Sequence, residues 1–477
     1  MALGRHQDSK QQDLWIATHK IARSPGHPFY VALNGLLGRA GFDRFVEELC
    51  EPYYADGIGR PSIPPGIYFR MLMVGYFEGI DSQRGIAWRC ADSLSLRGFL
   101  GLGLDEATPD HSSLTRIRQR LPLEAHLEAF QFVLRMMAEG GLLSGKTLGV
   151  DATTLEANAA MKSIVRKETG QDWSEYVKGL MAEEGLPAGR EEGEKEPTEQ
   201  DVRNFDRRRP SKKVSNREWE SPSDPDARIT KMKDGRTRLA YKAVHAIDLD
   251  SAVVVAARVE MADRGDADTL IGQVEQAEDN LFEAGSEPEV KEVVADKGYH
   301  KAEVLAACAG RQTRTYIPER KVGRRRRWAG KPAGWQEAVY GNRRRVRGER
   351  GRELQRRRSE VVERSFAHVC ETGGARRMWL RGLAKINKRY LVQVAAHNLG
   401  LLMRKVYGFG KPKALQGLAA VLLRVLCFVR SLLEAILRPV RVTRPDCPAP
   451  VLVRAGQLIR NHRLAMALQN TPSSTAR

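Results

Sequence analysis

The sequence contains few cysteines, and they lack the close spacing that is typical of metal sites. The chain has 477 residues and six cysteines, and no two of these form a Cys-x-x-Cys pair. This spacing argues against a zinc site. The first residues also lack the charged and then apolar pattern of an export signal. We therefore expect a cytoplasmic protein whose cysteines are reduced and structural.

A long, uninterrupted hydrophobic run is also missing. The most apolar stretch, residues 414–437, is broken by Arg424, Arg430 and Glu434. Charged side chains at such depth in a bilayer are costly. We interpret this stretch as a buried or partner-facing helix, and we expect no membrane partner.

Negative charge is the scarcer sign. The chain has 78 Lys and Arg residues against 59 Asp and Glu residues, which gives a formal net charge of +19. Such a balance indicates a polyanionic partner, most simply nucleic acid. A basic protein without that partner would have the same composition, because charge provides affinity but no chemistry.

The first third of the chain is predicted to be helical. After an N-terminal tail (residues 1–26), the apolar spacing from residue 27 to 145 is typical of packed helices. The last short helix before the first strand can be capped by Asp110 or Ser112. Its basic residues are Arg116, Arg118 and Arg120. Short helices that end in a basic one favour a helix-turn-helix-like DNA-binding domain; a bundle with a solvated basic face is the alternative.

Strand and helix patterns alternate from residue 146 to 410. Two apolar strands are predicted to end at Asp151 and Asp296, with a hairpin and a helix between them. This order predicts an α/β domain with a mixed sheet. A charged segment at about 160–235 is interpreted as an insertion, partly helical and partly loop. Residues 411–477 are expected to form a helical C-terminal region and a tail.

Residues 311–358 form the most basic part of the chain. Arginine runs alternate there with Trp328, Trp335 and Tyr340. Because the segment lies between two core elements, we interpret it as a loop that follows the DNA backbone, with aromatic side chains that stack on bases. The arginines predicted to contact DNA are Arg324, Arg325, Arg326, Arg327, Arg343, Arg344 and Arg345.

Three acidic residues stand in apolar surroundings. Asp151 and Asp296 each follow an apolar strand pattern, and Glu363 lies in a helical pattern predicted to face the same sheet edge. Phosphodiester cleavage needs an activated oxygen nucleophile and relief of charge on the phosphate, which two Mg²⁺ ions can provide. Mg²⁺ usually takes only one or two carboxylates. The sequence therefore predicts a site for two Mg²⁺ ions, with Mn²⁺ as a substitute.

Each of these acids also has a simpler interpretation. Asp151 could cap a helix or turn, and Asp296 could be a turn residue. Glu363 could pair with an arginine on its own helix. Glu360, one turn earlier, is the rival third acid. Asp248 is a further candidate, although its place in the predicted hairpin indicates a structural role.

Other polar residues near these acids are weaker candidates. Glu156 is a further possible acid of the site. Lys297 and Tyr299 follow the second aspartate and are predicted to contact DNA; an ordinary exposed turn is the alternative. His245 and His397 lie in apolar surroundings and are interpreted as core or hydrogen-bonding residues rather than ligands.

Seven short segments resemble the DDE transposases of bacterial insertion sequences. In chain order they are Gly59-Arg-Pro-Ser-Ile-Pro-Pro, Pro109-Asp-His-Ser-Ser-Leu, Gly149-Val-Asp-Ala-Thr, Ala295-Asp-Lys-Gly-Tyr, Val361-Val-Glu-Arg-Ser-Phe, Arg381-Gly-Leu-Ala-Lys and Ala395-Ala-His-Asn-Leu. Each segment alone is weak, but together and in this order they span roughly residues 25 to 410. They look most like the insertion-sequence family numbered eleven-eighty-two, which is related to hairpin-forming transposases.

This resemblance implies a fold and an activity. The fold would be an RNase H-like catalytic domain with Asp151, Asp296 and Glu363 as its metal-binding triad. The protein would bind the terminal inverted repeats of its element, free a 3′-hydroxyl and transfer it to target DNA. By analogy it would act as a homodimer or a larger assembly in the bacterial nucleoid. A nuclease without strand transfer and an inactive DNA-binding relic or repressor are the alternatives.

The cations around the third acid depart from the family's pattern. Related enzymes have an arginine one helical turn before the glutamate and a lysine two turns after it. Ser359 and Cys370 stand at those positions here. Arg364 matches the Glu-Arg pair of the family and is predicted to contact DNA. The residues that could supply the missing cations are Arg356, Arg358, Arg376 and Arg377.

Overall fold

The structure of the chain is a computed structural model. It describes residues 24–55, 62–186, 196–209, 214–232, 234–286, 290–320 and 327–415. The predictions for the N-terminal tail up to residue 23, for residues 324–326 and for the chain beyond residue 415 therefore lie outside the described residues. Within the described part, no helix is long and apolar enough to cross a membrane.

Within the described residues, seven α-helices precede the first strand. They are α1 (Pro28–Ala40), α2 (Phe42–Cys50), α3 (Pro65–Glu78), α4 (Gln83–Asp92), α5 (Leu94–Leu100), α6 (His111–Arg120) and α7 (Leu123–Glu139). Asp110 caps α6, because its carboxylate accepts hydrogen bonds from the main-chain N–H groups of Ser112 and Ser113. Of the two predicted caps, Asp110 is thus the one used.

The six-stranded sheet is mixed, as the strand and helix order predicts. Its strands are β1 (Thr147–Glu156), β4 (Arg228–Lys231), β5 (Thr237–Asp248), β6 (Val254–Met261), β7 (Glu292–Ala295) and β8 (Arg314–Tyr316). Across the sheet, β5 pairs with β1, β1 with β7, and β7 with β8. Strands β4 and β6 share the other edge of β5. The pairs that involve β5 are antiparallel, whereas β1–β7 and β7–β8 are parallel.

The segment between β1 and β5 contains short elements of its own. They are a 3-10 turn (Met161–Ser163), β2 (Val165–Arg166), α8 (Trp173–Glu183), α9 (Glu199–Arg208) and β3 (Trp219–Glu220). Strands β2 and β3 pair as a separate two-stranded sheet. Val177, Met181 and Val202 form a small hydrophobic cluster between α8 and α9. The charged segment therefore has local order.

Between residue 266 and residue 415, the described part of the chain adds five α-helices: α10 (Asp266–Glu283), α11 (Ala302–Gly310), α12 (Trp335–Arg347), α13 (Glu349–Phe366) and α14 (Leu383–Tyr407). The prediction of a DNA-following loop at residues 311–358 is wrong from residue 335 onward, where α12 and α13 lie. Arginine is a good helix former. The residues at turn spacing along α13, Leu354, Arg358, Val362 and Phe366, are buried and hold this helix on the sheet.

Helix α14 joins the N-terminal helices to the sheet. It packs against α3, α7 and β6. Asn387 and Asn398 on α14 hydrogen-bond to main-chain groups of Val259 and Val254, which lie on the outer edge of the sheet. These side chains satisfy backbone groups that an edge strand would otherwise leave unpaired. The helices and the sheet therefore share one hydrophobic core.

Candidate active site

Asp151 and Asp296 lie side by side on neighbouring strands. In the parallel β1–β7 ladder, Val150 is aligned with Ala295, so the two following residues are the two aspartates. Asp296 ends its strand as predicted and caps a short 3-10 turn (Lys297–Tyr299) by accepting from the Gly298 N–H. The prediction that Asp151 ends β1 is wrong. Strand β1 runs on to Glu156, because residues 152–156 pair with β5.

Arg358 on α13 contacts the first aspartate. Its Nη1 donates to Asp151 Oδ2 at 2.7 Å, and both side chains are mostly buried. Gln355, one turn earlier, donates to the carbonyl oxygens of Ala295 and Tyr316, so it ties α13 to the ends of β7 and β8. The helix thus presents a guanidinium, not a carboxylate, to Asp151.

The two aspartates influence each other electrostatically. Burial raises the pKa of the Asp151 carboxyl, Arg358 and the Ala152 N–H oppose this effect, and the charge of Asp296 adds to it. Burial and a neighbouring like charge both disfavour the ionised form of Asp151, so a cation beside this carboxylate would be favourable. The electrostatics of the pair therefore suit a bound positive charge.

Glu363 does not join the two aspartates in this structure. It lies on α13 but is exposed, and its side chain makes no hydrogen bond or ion pair with the described residues. At 3.6 residues per turn it points about 140° around the helix from Arg358. The rival acid, Glu360, is paired with Arg364. Among the described residues, no group of three or more His, Cys, Asp or Glu side chains is placed to hold a metal ion.

The donor set of the aspartate pair fits Mg²⁺ in part. Mg²⁺ is a hard cation that is commonly held by one or two carboxylates together with waters and phosphate oxygens. Asp151 and Asp296 supply two such carboxylates at matching positions. The Nε of Arg358 is buried and has no hydrogen-bond partner among the described residues, so a polar group is still missing beside the pair. The third acid of a triad is not in place.

Two family models match the chain. Residues 21–120 match the model described as "Transposase domain (DUF772)", and residues 201–399 match the model described as "Transposase DDE domain". The chain belongs to the DDE transposases of insertion-sequence type. The second match contains Asp296 and Glu363, whereas Asp151 lies between the two matched ranges. No curated protein and no solved structure matched the chain.

Two residues predicted to contact DNA lie in the interior of the transposase. The Tyr299 side chain is 0% exposed and that of Arg118 is almost fully buried, so neither side chain is accessible to DNA in this structure. Tyr299 is the last residue of the 3-10 turn capped by Asp296, and its ring is buried. The apolar stripe of α6 (Leu114, Ile117) brings Arg118 to the buried face of the helix.

The other predicted DNA contacts are more accessible. Arg116, Arg120, Lys297, Arg327, Arg344 and Arg364 are exposed, and Arg343 and Arg345 are partly buried. Arg343 pairs with Glu319, and Arg345 donates to the carbonyl oxygen of Thr315. These two arginines therefore hold the C-terminal half of α12 against β8 and the residues that follow it, whereas the exposed residues can meet phosphate.

The remaining acids and histidines have structural surroundings. Asp248 is fully buried and accepts hydrogen bonds from the N–H groups of Ser144 and Gly145, so its predicted structural role is confirmed. Glu156 pairs with Arg238. His245 and His397 are buried, as predicted, and burial lowers the pKa of His245 to about 3.

Two residues near the aspartate pair were not predicted from the sequence. Gln355 has no distinctive context in an arginine-rich stretch. Asp266, the first residue of α10, lies beside Asp296 across Gly298. The sequence signal of Asp266 is an aspartate at the start of a helical pattern, in Asp263-Arg-Gly-Asp-Ala-Asp. Such an aspartate is equally typical of a residue that only begins a helix.

Proposed function

We propose that this transposase binds the terminal inverted repeats of its element and catalyses Mg²⁺-dependent phosphodiester cleavage and strand transfer. The observation that carries the proposal is the pair of aspartates at matching positions on adjacent parallel strands, with an arginine beside them. Paired carboxylates with a guanidinium in reach are suited to a phosphate that meets a metal ion.

We further propose that the catalytic part has an RNase H-like fold. The strand order β6-β5-β1-β7-β8 supports this, with antiparallel pairing among the first three strands and parallel pairing among the last three. Asp151 lies on the central strand of that order. We assign α1–α7 to a DNA-binding domain, supported by the exposed Arg116 and Arg120 on α6.

In this proposal Asp151 and Asp296 hold Mg²⁺. The bound metal would activate the attacking oxygen and neutralise charge that develops on the phosphate. Glu363 is proposed as the third acid on the basis of its family context; it would have to approach from its exposed position on α13. The partly buried setting of the aspartates would exclude bulk water and strengthen electrostatic interactions.

Arg358 is the proposed phosphate-binding cation. Its planar guanidinium can donate two parallel hydrogen bonds to a phosphate, which a lysine cannot do. It lies one residue before Ser359, the position at which related enzymes have an arginine. With a cation bound at Asp151, the Arg358 guanidinium could instead donate to a phosphate oxygen of the substrate and would position the scissile bond for attack.

The reaction we propose has two steps at the same phosphate-binding groups. Water attacks the phosphodiester at the end of the element, the bond to the 3′-oxygen breaks, and a 3′-hydroxyl is released. That hydroxyl then attacks a phosphodiester of the target DNA: its oxygen bonds to the phosphorus, the bond to the target's 3′-oxygen breaks, and the cut target strand leaves with a 3′-hydroxyl. Because two ends must be held together, a homodimer or a larger assembly is part of the proposal.

Replacement of the second aspartate tests this function. We expect purified full-length protein with Mg²⁺ to nick DNA that carries an element end, and Asp296→Ala to bind the same DNA with unchanged affinity but not to cut it. Cleavage is followed on labelled DNA and binding by mobility shift. Undiminished cutting by Asp296→Ala would reject the assignment of Asp296.

A strand-transfer assay separates transposition from its alternatives. With a labelled 3′ end and a target plasmid, a transposase yields joined products, whereas a nuclease yields only hydrolysis products. A protein that binds the ends but gives neither product would be an inactive relic or a repressor.

A further inference from the structure

A third carboxylate lies next to the aspartate pair. Asp266 begins α10, and its Oδ1 accepts a hydrogen bond from Lys242 Nζ at 2.8 Å. Its Oδ2 faces Gly298: a Cβ placed on this glycine would lie 2.7 Å from Asp266 Oδ2 and 2.7 Å from Asp296 Oδ1. The two carboxylates therefore flank one main-chain position. Asp266 Oδ2 has no hydrogen-bond partner within the described ranges.

A buried hydroxyl points independently to a ligand at this place. The Tyr299 side chain is 0% exposed, and its hydroxyl has no hydrogen-bond partner among the residues that the structure describes. Burial raises the pKa of this hydroxyl, and the charges of Asp151, Asp266 and Asp296 raise it further, so the hydroxyl lies within the field of all three carboxylates. A buried polar group without a partner is costly and commonly marks a bound water or ion.

We propose that Asp266 is a fourth acidic residue of the active site, and that it increases the affinity of the Asp151–Asp296 pair for a divalent cation through a bound water. The inference rests on the proposed metal-dependent function. Direct coordination is not proposed, because the described acids are not placed as a three-ligand set. Mg²⁺ keeps several of its waters when it binds to proteins. A water held beside Asp266 would also give the Tyr299 hydroxyl a partner.

The competing explanation is that Asp266 serves only to pair with Lys242. Lys242 lies on β5 opposite Thr154 of β1, and its Nζ also donates to the carbonyl oxygen of Arg264. In a purely structural pair, loss of either partner has the same consequence for metal binding. In our proposal the two losses have opposite effects, because Lys242 partly neutralises the charge that attracts the cation.

The experiment is a calorimetric titration of the full-length protein with Mn²⁺ in the absence of DNA. We expect Asp266→Asn to weaken Mn²⁺ binding about tenfold, the effect of one unit charge removed a few ångströms from a divalent ion. Lys242→Met should tighten binding by roughly threefold to tenfold for the same reason. Asp279→Asn, an exposed acid on the same helix, is the matched control and should leave binding unchanged.

The outcomes separate this inference from the proposed function. If Asp296→Asn abolishes Mn²⁺ binding and Asp266→Asn leaves it unchanged, the inference is rejected and the proposed function stands. If neither variant alters binding, the proposed metal pair is rejected as well. Weakening by both Asp266→Asn and Lys242→Met would identify a structural ion pair. Circular dichroism checks the fold; if Asp266→Asn does not fold, failure of Lys242→Met to tighten binding overturns the proposal.

Discussion

Gly298 occupies the most restricted main-chain position of the candidate site. Its backbone is not in the left-handed region, so a larger residue is excluded by space and not by conformation. A Cβ placed on this glycine would lie 2.7 Å from Asp266 Oδ2 and 2.7 Å from Asp296 Oδ1. Asp296 cannot withdraw without loss of the hydrogen bond from the Gly298 N–H. The glycine of the Asp-Lys-Gly-Tyr segment is therefore required by the carboxylates around it.

Replacement of this glycine should separate the two carboxylates. We expect Gly298→Ala to lower the free energy of unfolding by about 1–3 kcal/mol, the usual cost of an overpacked site. Urea unfolding measures the change. Gly272→Ala in the middle of α10 is the control: its Cβ would meet no atom within 4 Å, and it should stabilise by up to about 1 kcal/mol. Equal stabilisation of both variants would show that the carboxylates do not confine Gly298.

Among the elements, α6 divides its basic residues between two roles. Arg116 and Arg120 are exposed one turn apart, whereas Arg118 is buried and its carbonyl oxygen accepts a hydrogen bond from Lys388 Nζ on α14. Alternation of inward and outward positions on one helix follows from its 3.6-residue period. Only the outward arginines can release counterions from DNA.

The double variant Arg116→Gln, Arg120→Gln should weaken binding to DNA and make it less dependent on salt. The plot of log K against log salt has a negative slope, and each lost phosphate contact makes this slope less steep by about 0.9. Fluorescence anisotropy over a range of salt concentrations measures this slope. Arg118→Met, the matched variant on the buried face, should keep the slope and change the unfolding midpoint instead. An unchanged slope in the double variant together with a reduced slope in Arg118→Met would reject the proposal that the exposed face of α6 contacts DNA.

At the scale of the whole molecule, the helical and sheet parts are held together by buried polar bonds. Gln131 on α7 donates to Asn280 on α10, and Tyr76 on α3 hydrogen-bonds with His397 on α14. Because all four side chains are buried, separation of the two parts would break these bonds and expose the apolar surface around them to water. The boundary predicted near residue 145 therefore runs through a continuous core.

The shared core predicts joint unfolding of residues 27–145 and the sheet. We expect one main calorimetric transition for the full-length chain, and loss of cooperative unfolding when the chain begins at residue 146. A truncated chain that unfolds cooperatively, or two well-separated transitions in the full-length protein, would contradict this prediction and support two independent domains.

The sequence by itself determined the class of the elements and singled out the two aspartates of the candidate site. The apolar runs before Asp151 and Asp296 mark buried strands, because the burial of such runs is a local property of the pattern. Helical spacing likewise identified α10 and the helix that carries Glu363. The net charge of +19 predicted a polyanionic partner, since charge is a property of composition.

Only the tertiary structure decided which side chains meet. The register of β1 with β7 aligns the aspartates, and the rotation of α13 presents Arg358 to Asp151 while Glu363 remains exposed. Helix rotation and strand register depend on contacts between elements distant in the chain, which a single sequence does not specify. For the same reason the sequence did not indicate that Asp266 lies beside Asp296. The packing of α10 against the turn at Gly298 brings the two carboxylates together.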